Sequence, residues 1–173
     1  MNHPIPFVRR FVLLALLVAL CVGCDQVTKE TAQQQLARRA PISLWGDTVR
    51  LHYSHNPGGM LGLAGHLPAE TRALICQVAS AAVLGGMLLY ALFKRHLPAV
   101  ELVAVALIVG GGLGNIVDRI VLNGEVRDFL NLGIGPLRTG IFNVADVLIF
   151  GGIGLILVSR LFDRPATSSP ASS

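Results

Sequence analysis

Four long apolar segments constrain the fold of this chain more than any other feature of its sequence. They lie at about residues 6–24, 73–93, 97–117 and 141–161. About 20 consecutive apolar residues are enough for a helix to cross the roughly 30 Å hydrocarbon core of a bilayer. Only 14% of the 173 residues are charged, whereas soluble domains carry about 25%. The sequence therefore predicts an all-α membrane protein, folded as a single membrane domain with four transmembrane helices.

Two of the segments that connect the spans are expected to lie outside the membrane on the same side. Residues 25–72 and 118–140 form these external segments, and residues 118–140 are predicted to be a polar loop. Residues 163–173 are rich in Ser, Pro and Ala, so this tail is predicted to be disordered.

Two local patterns stand out in the first external segment. Thr28–Ala40 is polar and helix-forming, and Pro41 ends it. Alternating apolar residues follow a turn signal within Leu44–Tyr53, which predicts a short half-buried β-hairpin or strand.

The distribution of basic residues predicts the orientation in the membrane. Segments at the N-terminus, between the second and third spans and at the C-terminus hold six of the 14 Lys and Arg residues, in roughly thirty positions. These six are Arg9, Arg10, Lys94, Arg95, Arg160 and Arg164. The other eight are spread over roughly seventy positions on the opposite side. Both termini are therefore predicted to be cytoplasmic. Because the basic residues form no stripe with interleaved aromatics, they indicate contact with lipid and not with nucleic acid.

Three aspartates lie at or just inside the ends of apolar segments. They are Asp118, Asp128 and Asp146, and each such carboxylate costs about 2.5–3.5 kcal/mol at the centre of a span and less toward its ends. Asp128 and Asp146 face the same membrane boundary, and two close carboxylates can share a proton, one activating water while the other protonates a departing amine. A catalytic pair, an ion or proton pathway and structural ion pairing all remain open on these grounds.

Other charged and polar residues have simpler interpretations. Asp25 and Lys29 are four residues apart, as in an ion pair on a helix surface. Asp118 and Arg119 are predicted to anchor the third span at the interface and to pair with neighbouring charges. Asn115, one turn earlier, is predicted to form a hydrogen bond between helices.

The cysteines indicate no metal site. Cys21 and Cys24 form a C-x-x-C within an apolar segment that offers no polar partners, which disfavours redox or metal use. The sequence around Cys24 also resembles the cleavage box of an exported lipoprotein. That alternative predicts a soluble mature chain, and the three apolar segments that follow Cys24 argue against it.

Five motifs in one order carry a resemblance to the lipoprotein signal peptidase (signal peptidase II) family. The resemblance covers about residues 25–150 and rests on DQVTK (Asp25–Lys29), NPGGMLG (Asn56–Gly62), GGLGNIVDR (Gly111–Arg119), GEVRDF (Gly124–Phe129) and FNVAD (Phe142–Asp146). It implies a bacterial inner-membrane aspartic endopeptidase that removes the signal peptide from diacylglyceryl-modified prolipoproteins, just before the lipidated cysteine. It also implies a small external β-cradle and a short amphipathic helix over an active site on the periplasmic face.

The resemblance also implies roles for individual residues. Asp128 and Asp146 match the catalytic pair. Residues that match positions supporting the site or holding substrate are Asp25, Lys29, Asn56, Gly58, Asn115, Asp118, Arg119, Asn143 and Ala145. The implied partners are prolipoprotein substrates and membrane lipid, with no metal or organic cofactor, and the chain is expected to be a monomer.

Two positions depart from the family pattern. The interval between Arg119 and Gly124 is one residue longer than usual, with Asn123 as the extra residue, and Leu61 stands where Phe is common. The first departure could alter the placement of Asp128, and the second could alter a contact with lipid or signal peptide.

Overall fold

The computed structural model describes residues 6–57, 68–94 and 96–162. Its four helices are α1 (Phe7–Leu36), α2 (Ala69–Phe93), α3 (Ala99–Val121) and α4 (Val144–Phe162). Its four strands are β1 (Ile42–Leu44), β2 (Val49–Asn56), β3 (Val126–Ile134) and β4 (Leu137–Arg138).

Within the described residues, three helices are long and apolar enough to cross a membrane. These are α1, α3 and α4, whereas the apolar part of α2, Gln77–Phe93, is shorter. The four helices predicted from the apolar segments are therefore present, but they are not equivalent as membrane spans.

Helix α1 is longer than the span predicted at its position. It continues without a break from Phe7 to Leu36, so the polar segment after Asp25 extends the membrane helix and is not a separate element. Thirty residues at about 1.5 Å each give roughly 45 Å, more than the hydrocarbon core. The second half of α1 therefore projects beyond the membrane and carries Asp25 and Lys29 on the same rigid helix.

The external segments form an antiparallel sheet with the strand order β1-β2-β3-β4. The predicted hairpin corresponds to β1 and β2, but the prediction of a loop for residues 118–140 was wrong, since β3 has nine residues there. The first four residues of β3 are all buried, so the strand lacks the alternation that reveals a half-buried strand. With this sheet, the all-α class is incomplete: the protein combines a helical bundle with a four-stranded sheet.

The sheet packs on the projecting half of α1. Phe129 of β3 contacts Ala32 and Leu36 of α1 in a small buried cluster, with Leu51 and Tyr53 of β2 at its edge. This packing holds β3, and hence Asp128, against the external end of the bundle. In the described parts of the external segments no separate short helix is present. Residues 58–67 and the predicted disordered tail, 163–173, lie outside the described residues.

Helix α3 lies at the centre of the bundle. It contacts each of the other three helices, whereas α2 and α4, over their described residues, do not contact each other. Close approach between α3 and α4 depends on small residues, because a Cβ at Gly152 would lie 2.6 Å from the Ala104 carbonyl oxygen. The start of α4, and with it Asp146, is held close to α3 by a second such contact, because a Cβ at Gly111 would lie 2.4 Å from the Ala145 carbonyl oxygen.

We expect Gly152→Ala to destabilise the bundle by about 1–3 kcal/mol, because the added methyl group must push α3 and α4 apart. Gly151→Ala is the matched control, since a Cβ at Gly151 meets no atom within 4 Å and alanine favours a helix by about 1 kcal/mol over glycine. Thermal unfolding in detergent measures both variants. Equal midpoints for the two variants would contradict the close packing of α3 and α4.

Candidate active site

Asp146 is held by the first turn of α4. The side-chain oxygen of Asn143, the residue before the helix, accepts a hydrogen bond from the Asp146 backbone N–H at 3.0 Å. In return, Asp146 Oδ2 accepts one from the Asn143 N–H at 3.1 Å. This reciprocal pair resembles a capping box with aspartate at the third helical position. The FNVAD motif therefore begins the helix and fixes the carboxylate at the same time.

Asp128 lies on β3, opposite Ser54 of β2. Its side chain is 2% exposed, and both of its oxygens accept hydrogen bonds from asparagine amides. Asn143 Nδ2 donates to Oδ1 at 2.7 Å, and Asn56 Nδ2 donates to Oδ2 at 2.9 Å. The end of β2 and the start of α4 thus position this carboxylate together.

Two asparagines connect the carboxylates of Asp128 and Asp146. Besides its bond to Asp128, Asn143 Nδ2 donates to Asn115 Oδ1 at 3.1 Å. Asn115 Nδ2 then donates to Asp146 Oδ1 at 3.0 Å. The hydrogen bond between helices predicted for Asn115 is confirmed, and the two aspartates share one network of neutral donors.

Lys29 occupies the centre of a buried charge network beneath this site. Its ammonium lies 2.8 Å from Asp25 Oδ2 and 3.4 Å from Asp118 Oδ2, and these side chains have no exposed area. The Lys29 ammonium also donates a hydrogen bond to Asn115 Oδ1 at 2.8 Å. The prediction of a surface ion pair between Asp25 and Lys29 was therefore wrong: the spacing is helical, but α3 covers the pair.

Asp118 forms its strongest contacts with Arg127. The Arg127 guanidinium donates to Asp118 Oδ1 at 2.8 Å, and the Arg127 backbone N–H donates to Oδ2 at 2.9 Å. The predicted pairing of Asp118 with basic groups is confirmed, but Arg119 is not the partner, since it donates to the Asn115 carbonyl oxygen at 3.4 Å. Through these contacts with Arg127, Asp118 connects β3 to α3. Because Asp118 is fully buried, it does not anchor a helix at the membrane surface.

Asp25 connects α1 to the start of α4. Its Oδ1 accepts a hydrogen bond from the Ala145 backbone N–H at 2.9 Å. A Cβ at Gly114 would lie 2.4 Å from Asp25 Oδ2, so only glycine leaves space for the carboxylate there. Ala145, which was expected to support the site, contributes its backbone N–H to this hydrogen bond, and its side chain is fully buried. The predicted site residue Gly58 lies outside the described residues.

Arg127 is a site residue that the sequence analysis missed. Besides Asp118, its guanidinium contacts Gln26, Glu30 and Gln33 on one face of α1. A signal was available, because Arg127 immediately precedes Asp128 in a segment that also has to satisfy the buried Asp118. Its four acceptors come from two helices, so it determines the position of β3 relative to the bundle.

The charges divide the site into two parts. Asp25, Lys29, Asp118 and Arg127 are two acids and two bases in mutual contact, so the charges of these four residues balance. The exposed carboxylate of Glu30 also pairs with Arg127 at the edge of this network. Within the described part of the chain, neither Asp128 nor Asp146 forms an ion pair, and their donors are asparagine side chains and one backbone N–H. Among the described residues the two carboxylates thus have no directly paired cation, and Lys29 acts on Asp128 only through its charge, which lowers the pKa of Asp128.

Burial raises the pKa of Asp128 to about 6, and the charge of Asp146 acts in the same direction. The hydrogen bonds from Asn56 and Asn143 oppose this rise, because they favour the ionised carboxylate. Asp128 thus retains its proton to a higher pH than an exposed aspartate.

The fold is that of a bacterial membrane enzyme. One solved structure is described as a bacterial membrane enzyme and was determined by the in meso method at 1.9 Å resolution. It superposes on this chain with a TM-score of 0.75 at 26% sequence identity. The match covers 95% of this chain and 100% of that one. Residues 17–162 match the family model described as signal peptidase (SPase) II. The chain belongs to this family of aspartic peptidases.

Curated relatives agree with this assignment. The lipoprotein signal peptidase of Aquifex aeolicus is 32% identical over 161 residues, which cover 92% of this chain and 93% of the relative. That of Leifsonia xyli is 34% identical over 156 residues, which cover 87% and 67%. Because the family match begins before Cys24 and α1 continues through it, these findings favour a membrane peptidase over a lipoprotein cleaved at that cysteine.

We expect Lys29→Met to destabilise the protein by about 3–5 kcal/mol, because it leaves Asp25 and Asp118 buried without their shared cation. The fall in the thermal midpoint measures this loss in detergent. Arg38→Met removes an exposed basic side chain and is the control. Adding Asp25→Asn to Lys29→Met should recover part of the stability, since one uncompensated charge is then absent. A midpoint for Lys29→Met equal to that of the control would contradict the buried network.

Proposed function

We propose that this chain is an inner-membrane aspartic endopeptidase that cleaves diacylglyceryl-modified prolipoproteins just before the lipidated cysteine. The observation that carries the proposal is the pair of carboxylates, Asp128 and Asp146, that share asparagine donors and form no ion pair with a described residue. A structural role for these two groups would call for a basic partner, as Asp25 and Asp118 have. The family membership supports the same reaction.

The enzyme crosses the membrane four times, with α2 as the shorter crossing, and functions as a monomer. Its termini are cytoplasmic and the aspartate pair faces the periplasm. Two contacts at one end of the bundle are consistent with this arrangement. Arg10 of α1 donates to the Ala91 carbonyl of α2, and Arg160 of α4 pairs with Glu101 of α3, so the predicted cytoplasmic ends lie together, opposite the aspartates.

A water molecule between the two carboxylates performs the hydrolysis. Ionised Asp146 accepts a proton from this water, whose oxygen attacks the scissile carbonyl carbon. Neutral Asp128 holds the shared proton. It donates this proton to the nitrogen of the departing amine as the C–N bond breaks. The diacylglyceryl chains remain in the bilayer beside the bundle, which brings the peptide bond to the membrane boundary where the pair lies.

The remaining site residues act by positioning. Asn143 and Asn115 hold the two carboxylates at a fixed separation, and Asn56 orients Asp128 from the β2 side. Asp25, Lys29, Asp118 and Arg127 form the charge-balanced support beneath them. Gly58 and Arg119 contribute to holding substrate.

We expect Asp128→Asn and Asp146→Asn each to reduce cleavage by at least about a thousandfold, because either change removes the base or the acid. Gel mobility of a lipidated prolipoprotein measures cleavage by purified enzyme in mixed micelles. Asp47→Asn is the control, since Asp47 has a left-handed φ of 70° that asparagine also accepts and it contacts neither aspartate. Native-rate processing by either folded dyad variant would refute the mechanism.

The pH dependence follows from the raised pKa of Asp128. Neutral Asp128 is lost above a pH of about 6, so kcat/KM should fall about tenfold per pH unit above that value. Asn56→Leu removes a donor that favours the ionised form. The pKa of Asp128 then rises, and the descending limb moves to higher pH by about one unit.

The pH profile of kcat/KM for the native enzyme and Asn56→Leu measures this shift. Asn131→Leu is the matched control, because Asn131 lies on the same sheet but bonds to Thr139 and Arg138. A descending limb that moves to lower pH in Asn56→Leu, or that moves equally in the control, would contradict the assignment of the shared proton to Asp128.

A further inference from the structure

A groove opens between α2 and α4 at the end of the bundle opposite the aspartates. Over the described residues these two helices contact α3 but not each other, and the space between them has a volume of about 430 Å³. Its walls are largely apolar and its floor is on α3. The lining includes Val83, Gly86 and Met87 of α2, Val105 of α3, and Ile156 of α4.

Charged groups collect at one end of this groove. Glu101 and Arg160 line it, and the carboxylate of Glu101 lies 2.9 Å from the Arg160 guanidinium and 3.5 Å from the Lys94 ammonium. Lys94 also lies 4.9 Å from the centre of the Tyr90 ring, which borders the groove. Two cations therefore surround one acid, and the end of the groove is positive by one charge.

The cations differ from the acid in their accessibility. The side chain of Arg160 is 59% exposed and that of Lys94 is 35% exposed, whereas that of Glu101 is only 7% exposed. A ligand at the end of the groove therefore meets the two basic groups first. Arg10 adds a further positive charge near this end, where its guanidinium donates to the Leu92 carbonyl of α2.

We propose that this groove binds an anionic phospholipid, with its phosphate at Arg160 and Lys94 and an acyl chain against α3. An apolar groove with a basic end matches the two parts of such a lipid, and basic pockets between membrane helices on the cytoplasmic side bind anionic headgroups. The bound lipid fills the space between α2 and α4 and fixes α2 on the bundle. The placement in the cytoplasmic leaflet rests on the orientation proposed above, but the lipid is distinct from the substrate and lies away from the aspartates.

Native mass spectrometry of the detergent-purified full chain, incubated with phosphatidylglycerol or phosphatidylcholine, tests this site. We expect a preference for phosphatidylglycerol of about fivefold for each basic group that engages the headgroup. Arg160→Gln should reduce that preference about fivefold. Cleavage of prolipoprotein is a separate readout, so failure of lipid binding and failure of the peptidase function can be told apart.

Two adjacent glycines supply a matched pair for the acyl-chain part of the site. A Cβ at Gly86 or at Gly85 meets no atom within 4 Å, so both positions accept a larger side chain, but only Gly86 lines the groove. Gly86→Leu should lose retained phosphatidylglycerol, and Gly85→Leu should keep it. Val83→Phe fills the same groove from the next turn and serves if Gly86→Leu does not fold.

Three results would overturn the proposal. The first is equal retention of phosphatidylglycerol and phosphatidylcholine. The second is native retention of phosphatidylglycerol by the folded variants that fill the groove. The third is a rise in thermal midpoint with inorganic phosphate equal to that with phosphatidylglycerol, which would indicate a simple anion site without the acyl chain.

Discussion

The ammonium of Lys29 is the interaction on which the rest of the site depends. It is fully buried and contacts Asp25, Asp118 and Asn115, so its three donor hydrogens match three acceptors from α1 and α3. A buried charge of this kind is stabilising only when every partner is in place. The ammonium therefore fixes the relative position of two helices, and through Asp118 and Arg127 it also fixes β3.

This arrangement explains how two further carboxylates can lie at the same boundary without cations. The charges of the four buried residues below balance, although Lys29 still acts to lower the pKa of Asp128. The asparagine amides supply donors without supplying charge. Burial is then the main cause that raises the pKa of Asp128, and the charge of Asp146 adds to it. A basic residue in place of Asn143 would favour two ionised aspartates and remove the shared proton.

Sequence patterns predicted part of this molecule and missed part, for identifiable reasons. Apolar segment lengths located all four helices, and aspartates at the ends of the segments indicated that Asp128 and Asp146 lie toward the same membrane boundary. The spacing of Asp25 and Lys29 is the same for a surface pair and a buried pair, so only the packing of α3 distinguishes the two. Strand β3 is buried on both faces and carries Arg, Asp and Asn, so neither its period nor its polarity resembles a strand.

Infrared difference spectroscopy of the carboxylic acid C=O stretch, recorded as the pH is raised, tests most directly whether the pair holds one shared proton. We expect a single protonated carboxyl band that is lost with a midpoint near pH 6 and is absent from Asp128→Asn. A band with this midpoint that persists in folded Asp128→Asn, or a native protein in which no carboxyl titrates near this pH, would contradict this expectation.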